Sequence, residues 1–101
     1  MKRVTKKVAL RVAEELGVNL EVVGLKQWMM GMKVELEHGT VCSQTNVTGD
    51  NWIITGKIAL AHLVEFPDYY WRLKVMEDTA ESFWADRDKP SPLLHGECHI
   101  E

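Results

Sequence analysis

One stretch governs what this chain can fold into. From Asn51 to Glu65 the residues are apolar on nearly every side: Trp52, Ile53, Ile54, Ile58, Ala59, Leu60, Ala61, Leu63 and Val64. A helix of that kind has no face to offer water, so it is expected at the buried centre with other elements packed around it. It stops at Phe66-Pro67, because a residue before proline is pushed out of the helical region. Thr48 or Asp50, at the end of a polar, turn-rich stretch over 40–50, is expected to cap its start.

The elements around that centre also read as helices. Val8, Val12 and Leu16 recur every fourth residue with Ala9 and Ala13 beside them, and Gly17 follows as a stop, so a short amphipathic helix spans about Val4 to Leu16. Asn19 can cap a second helix with Glu21 in its first turn. Leu25, Trp28, Met29, Met32 and Leu36 continue its stripe, and Gly39 is expected to end it. Gly24 and Gly31 weaken that helix, each by about 1 kcal/mol relative to alanine. Met32, Val34 and Leu36 also alternate with Lys33, Glu35 and Glu37, so a short strand over 32–37 is the alternative there. After the break, Pro67 is expected to open a helix with Asp68 in its first turn. Tyr70, Leu73, Met76, Ala80 and Phe83/Trp84 would form its inner face. Asp88-Lys89-Pro90-Ser91-Pro92 reads as a linker. The expected fold is therefore all-α: a compact bundle of about four short helices within residues 1–86, with residues 51–65 central and 87–101 as linker and tail.

Composition narrows the function classes. A chain of 101 residues suits one domain, and its 46% hydrophobic and 27% charged residues are ordinary for a globular one. A net charge of −3 argues against general nucleic-acid binding, which usually needs a basic surplus. The only basic cluster is Lys2, Arg3, Lys6 and Lys7, which reads as a solvated helix start. No apolar run approaches the roughly 20 residues that span a bilayer. The charged N-terminal stretch lacks the apolar segment of a secretory signal, and Cys42 and Cys98 make no disulfide framework of the secreted kind. A cytoplasmic protein with reduced thiols is the expectation, with no membrane partner.

Two spacings carry candidate chemistry. Glu35-x-x-His38 closes the second helix and His62-x-x-Glu65 closes the central one, and residues three apart on a helix share a face. Glu-x-x-His on paired helices is how bundles hold iron or manganese, and imidazole with carboxylate also suits zinc. His62 and Glu65 are expected on the buried face with Ile54, Ile58 and Ala61, where a glutamate needs a partner. A structural Glu–His network is the first reading. A metal site on Glu35, His38, His62 and Glu65 is the second, and an acid–base pair the third. The tail residues His95, Cys98 and His99, with Cys42, could complete a zinc set but read as incidental. Tyr69, Tyr70 and Trp71 are consecutive at a helix start. Three neighbours cannot all face inward, so at least one is exposed or covered by a partner.

Gly31 with Val34-Glu35-Leu36-Glu37-His38-Gly39, then Thr45-Asn46-Val47-Thr48, Thr55-Gly56-Lys57-Ile58-Ala59, and His62-Leu63-x-Glu65-x-Pro67-Asp68-Tyr69-Tyr70 with Leu73, Met76 and Glu77 form a segmented pattern. It resembles a family of small uncharacterised proteins found in bacterial, phage and large-DNA-virus genomes, over about residues 28–77. The resemblance implies a helical fold and a phage or mobile-element setting, and it brings no activity. The residues and the resemblance together predict a small accessory factor, not an enzyme, that binds another protein or its own copy as a homo-oligomer. A metal-binding protein or metal-dependent enzyme using zinc, iron or manganese is the alternative. Nucleic-acid binding through the basic N-terminus ranks third.

Overall fold

The computed structural model describes residues 3–41, 46–49 and 51–87, with the backbone alone over 38–41. Five helices follow in order: α1 (Lys6–Leu16), α2 (Leu20–Val23), α3 (Leu25–Val41), α4 (Trp52–Glu65) and α5 (Tyr69–Trp84). The fold is all-α, and the described residues contain no strand. The expected tail ligands His95, Cys98 and His99, with Cys42, lie outside the described residues.

Local chemistry sets most of the boundaries. Thr5 caps α1 by accepting from the Val8 N–H, and Gly17 ends it in the left-handed region at φ 71°, its N–H returned to the last turn. Asn19 caps α2 as its side chain allows, but α2 lasts only four residues. Gly24, at φ 84° and ψ 139°, breaks the expected single helix into α2 and α3. The alternation over 32–37 is helical, not extended. Met32, Glu35 and Leu36 are all buried, which is one helix face and not one side of a strand. Gly39 does not end α3, which runs on to Val41.

At α4 the cap is Asn51 and not Thr48, and the other expected cap, Asp50, lies outside the described residues. The Asn51 side chain accepts from the N–H groups of Ile53 and Ile54 at 2.9 and 3.0 Å. Thr48 is buried behind it, with its carbonyl accepting from Asn51 N–H. Pro67 does not start α5 either. Pro67 and Asp68 form a turn and the helix begins at Tyr69. The Asp68 carboxylate accepts from Arg72 Nε at 2.8 Å instead of capping a backbone amide.

The core joins four helices: Ala9, Val12 and Ala13 of α1, Trp28 and Met32 of α3, Ala59 and Leu63 of α4, and Tyr70 of α5. The α3–α4 pair is the principal contact, α1 packs across both, and α5 touches both. The buried face of α4 is Thr55, Gly56, Ala59 and Leu63. Small residues there let helices approach closely. A Cβ at Gly56 would lie 2.5 Å from Val12 Cγ1. The fully buried Trp28 ties α3 to α1 by donating its indole N–H to the Ala9 carbonyl at 2.8 Å. That bond satisfies the buried indole donor.

The all-round apolar character of α4 concealed which side faces in. Ile54 is 41% exposed, and Ala61 and Glu65 are exposed, so the face expected from Ile54, Ile58 and Ala61 is not the inner one. The same holds further along α5. Tyr70 is buried and Leu73 and Trp84 are half-buried, but Met76, Ala80 and Phe83 face outward. Only the first turns of α5 belong to the bundle.

Candidate functional site

Among the described residues, a polar centre forms where α3, α4 and the root of α5 meet. Glu35 is buried on α3. A carboxylate in that position needs donors, because burying an unpaired charge costs several kcal/mol. Tyr70 supplies one: its hydroxyl donates to Glu35 Oε2 at 2.6 Å, a short bond of the charge-assisted kind. The Tyr70 backbone N–H is held as well, donating to Gln27 Oε1 at 3.3 Å. The Tyr70 ring lies directly over Gly31, one turn before Glu35 on α3. A Cβ at Gly31 would stand 2.5 Å from the ring edge. Gly31 therefore makes room for the ring and Glu35 receives its hydroxyl, so one stripe of α3 fixes where α5 begins.

His62 completes the centre from α4. Its Nε2 lies 3.8 Å from Glu35 Oε2, beyond a hydrogen bond and within ion-pair distance when the imidazole is protonated. Its ring stacks on Tyr69 at 4.3 Å with planes 10° apart and meets Tyr70 edge-on at 6.1 Å. Burial, and then the adjacent Glu35 carboxylate, push the Tyr70 hydroxyl far above its ordinary pKa. It stays a neutral donor at any physiological pH. The phenol is thus a structural tie and not a base or nucleophile.

The sequence-derived set is partly assembled. Glu35 and His62 meet. Glu65 does not join them: it is exposed at the end of α4 and needs no buried partner. The side chain of His38 lies outside the described residues. No group of three or more His, Cys, Asp or Glu side chains capable of holding a metal is found among the described residues. Of the three aromatics, Tyr70 is buried, Tyr69 is half-buried against His62, and Trp71 is 55% exposed. The residues missed were Gly31 and Gln27, together with Tyr70 as the donor to Glu35. A glycine one helical turn before a buried acid was the signal available for the first.

A second feature lies on the surface. Beyond its root, α5 carries Val75, Met76 and Phe83 at 56, 61 and 49% exposure, and Val64 and Phe66 are exposed at the adjoining corner. Arg72 lies over the Phe66 ring at 4.1 Å, and Arg87 over Phe83 at the same distance. The last turns of α5 border an open groove of about 510 Å³ whose walls include Ala80 and Trp84.

A family model described as "Protein of unknown function (DUF5661)" matches residues 9–79. The chain belongs to DUF5661. The DUF5661 match reaches further than the segmented pattern over 28–77, because it takes in α1 from Ala9, the residue whose carbonyl receives Trp28. It includes Gly31, Glu35, His62 and Tyr70, so the whole polar centre falls within DUF5661. It stops before the last turn of α5. No curated protein matches the chain, and no solved structure does.

Proposed function

We propose that the protein is a non-enzymatic binding factor that takes a protein partner on the free part of α5. One observation carries this reading: α5 is rooted in the core by Tyr70, yet Trp71, Val75, Met76 and Phe83 remain about half or more exposed beyond it. A helix with a free water-facing side is normally polar there. Apolar side chains on two sides of one projecting helix favour a covering partner. The polar centre acts in the same sense, since it fixes the root of α5 and so aims its free part. A phage or mobile-element setting, which the family resemblance implies, and a cytoplasmic location, expected from the cysteine usage, go with this reading. The test compares capture from a cell lysate by the wild-type chain and by Val75→Glu and Phe83→Glu, each checked for unchanged helicity by circular dichroism. A protein retained by wild type and lost by these variants is the expected result. Identical recovery by all three sinks the proposal.

A second reading rests on the meeting of Glu35 and His62 across α3 and α4. With His38 three residues after Glu35, these side-chain types suit a divalent zinc, iron or manganese ion. Metal analysis of tag-free protein decides it. Stoichiometric metal that falls with His62→Ala supports the site, and trace metal unchanged by that substitution removes it.

A further inference from the structure

We propose that the outward seam of α5, made by Leu73, Met76, Ala80 and Phe83, docks a second copy of this chain in antiparallel orientation. The inference rests on the reading of α5 as a binding surface and assigns one side of it to a second copy, leaving Trp71 and Val75 on the other side. The spacing comes first. These residues follow one another at intervals of three, four and three, the stripe on which two helices interlock. Leu73 is half-buried at the edge of the bundle, and Met76, Ala80 and Phe83 continue the stripe outside it. An antiparallel copy sets Leu73 against the partner's Phe83 and Met76 against the partner's Ala80. Each layer then pairs one larger side chain with one smaller.

Charge decides the orientation. The first half of α5 carries Arg72 and Lys74. The second half and the turn after it carry Glu77, Asp78, Glu81 and Asp86, with Arg87 turned onto Phe83. A parallel copy would place like charge beside like. An antiparallel copy places the basic end of each helix along the acidic end of the other, with like charge meeting only at the centre, where Glu77 and Asp78 of the two copies approach. Asp86 stands in the turn just after the acidic end of α5, fourteen residues from Arg72 near its basic end. In the antiparallel register Arg72 meets the partner's Asp86, and symmetry makes the contact twice. Arg72 now pairs with Asp68 just before the helix, its guanidinium also over the Phe66 ring, and Lys74 pairs with Asp78 within it, both as exposed contacts. Pairs of that kind contribute little and exchange readily.

Size sets the strength. A helix of 16 residues is about 24 Å long, so one helix pair falls short of the roughly 800 Å² per partner of a standard stable interface. The dimer is accordingly weak and reversible, and is to be sought from micromolar to millimolar protein.

Sedimentation equilibrium of the full chain over that range is the test. A mass rising from monomer to dimer with concentration is expected, and Met76→Lys should hold the chain monomeric. Arg72→Glu and Asp86→Arg should each raise the dimer Kd by roughly three- to tenfold, and the double exchange should restore it. Circular dichroism confirms that each variant keeps its helices. A chain monomeric at millimolar concentration overturns the seam, as does a dimer that Met76→Lys leaves intact or a double exchange no better than its singles. None of these results touches capture of another protein through Val75, so the seam can fail while the partner-binding reading stands.

Discussion

Replacing Gly31 by alanine should weaken the fold although alanine is the better helix former. In the interior of α3 the change gains about 0.5–1 kcal/mol of helix propensity. Against this, the new Cβ would stand 2.5, 2.8 and 3.2 Å from three carbons of the Tyr70 ring. The ring is fully buried, its hydroxyl is tied to Glu35, and its own N–H is tied to Gln27. It cannot retreat without loosening those bonds. Overpacking of this kind costs about 1–3 kcal/mol, and losing a hydrogen bond to a charged group adds about 1.5–3 kcal/mol. The net expectation is a loss centred on about 3 kcal/mol, or roughly 12–24 °C in Tm for a chain of this size. Urea unfolding followed by tryptophan fluorescence and circular dichroism measures it. A double-mutant cycle isolates the cause. In a Tyr70→Ala background the penalty at Gly31 should vanish, and alanine there should become neutral or mildly stabilising. A Gly31→Ala protein as stable as wild type refutes the placement of Tyr70 over Gly31. An equal penalty with and without the Tyr70 ring refutes the stated cause.

Three further outcomes follow from the same contacts. The Tyr70 hydroxyl keeps its proton in the folded state at pH values where a free phenol, with a pKa near 10, loses it. The raised folded pKa gives stability that is fully present below about pH 10. It is lost above that value at up to about 1.4 kcal/mol per pH unit, so urea unfolding at alkaline pH should show this slope in wild type and less of it in Tyr70→Phe. Trp28→Phe removes the indole donor to the Ala9 carbonyl, which keeps its helical partner, and should cost about 0.5–1.5 kcal/mol, read as a lower urea midpoint. Glu35→Ala strips the Tyr70 hydroxyl of its acceptor and should cost about 1–3 kcal/mol, whereas Glu65→Ala should change stability by less than about 0.5 kcal/mol. Parallel thermal melts distinguish the two glutamates.

Features that act within a few residues of chain were legible in the sequence. The stop at Gly17, the cap at Asn19 and the break at Phe66-Pro67 all depend on backbone chemistry that a single residue dictates. The face of α4 was not legible for the reason that made the helix conspicuous: with apolar residues on every side, hydrophobicity no longer points inward. Packing settled it instead, through Gly56 and Ala59, whose small size lets α1 and α3 come close. Glu35 and His62 were singled out by spacing and do meet. The carboxylate expected on a buried face was Glu65, which faces water; the buried one is Glu35, and its donor is a phenol 35 residues along the chain. The outer part of α5 misled for a related reason. Its stripe reads as an inner face, and nothing in the periodicity of one helix says how far the bundle extends beside it.

The central claim is that the free part of α5 is a protein-binding surface held in place by the Tyr70–Glu35 tie. Site-specific photo-cross-linking tests it most directly, with a photoreactive residue placed in turn at Val75 and Met76 on α5 and at Arg11 on the exposed side of α1. Covalent adducts from Val75 or Met76 and none from Arg11, lost when Tyr70→Ala frees the root of the helix, are the expected result. Adducts from Arg11 alone, or the same adducts from all three positions, contradict the account.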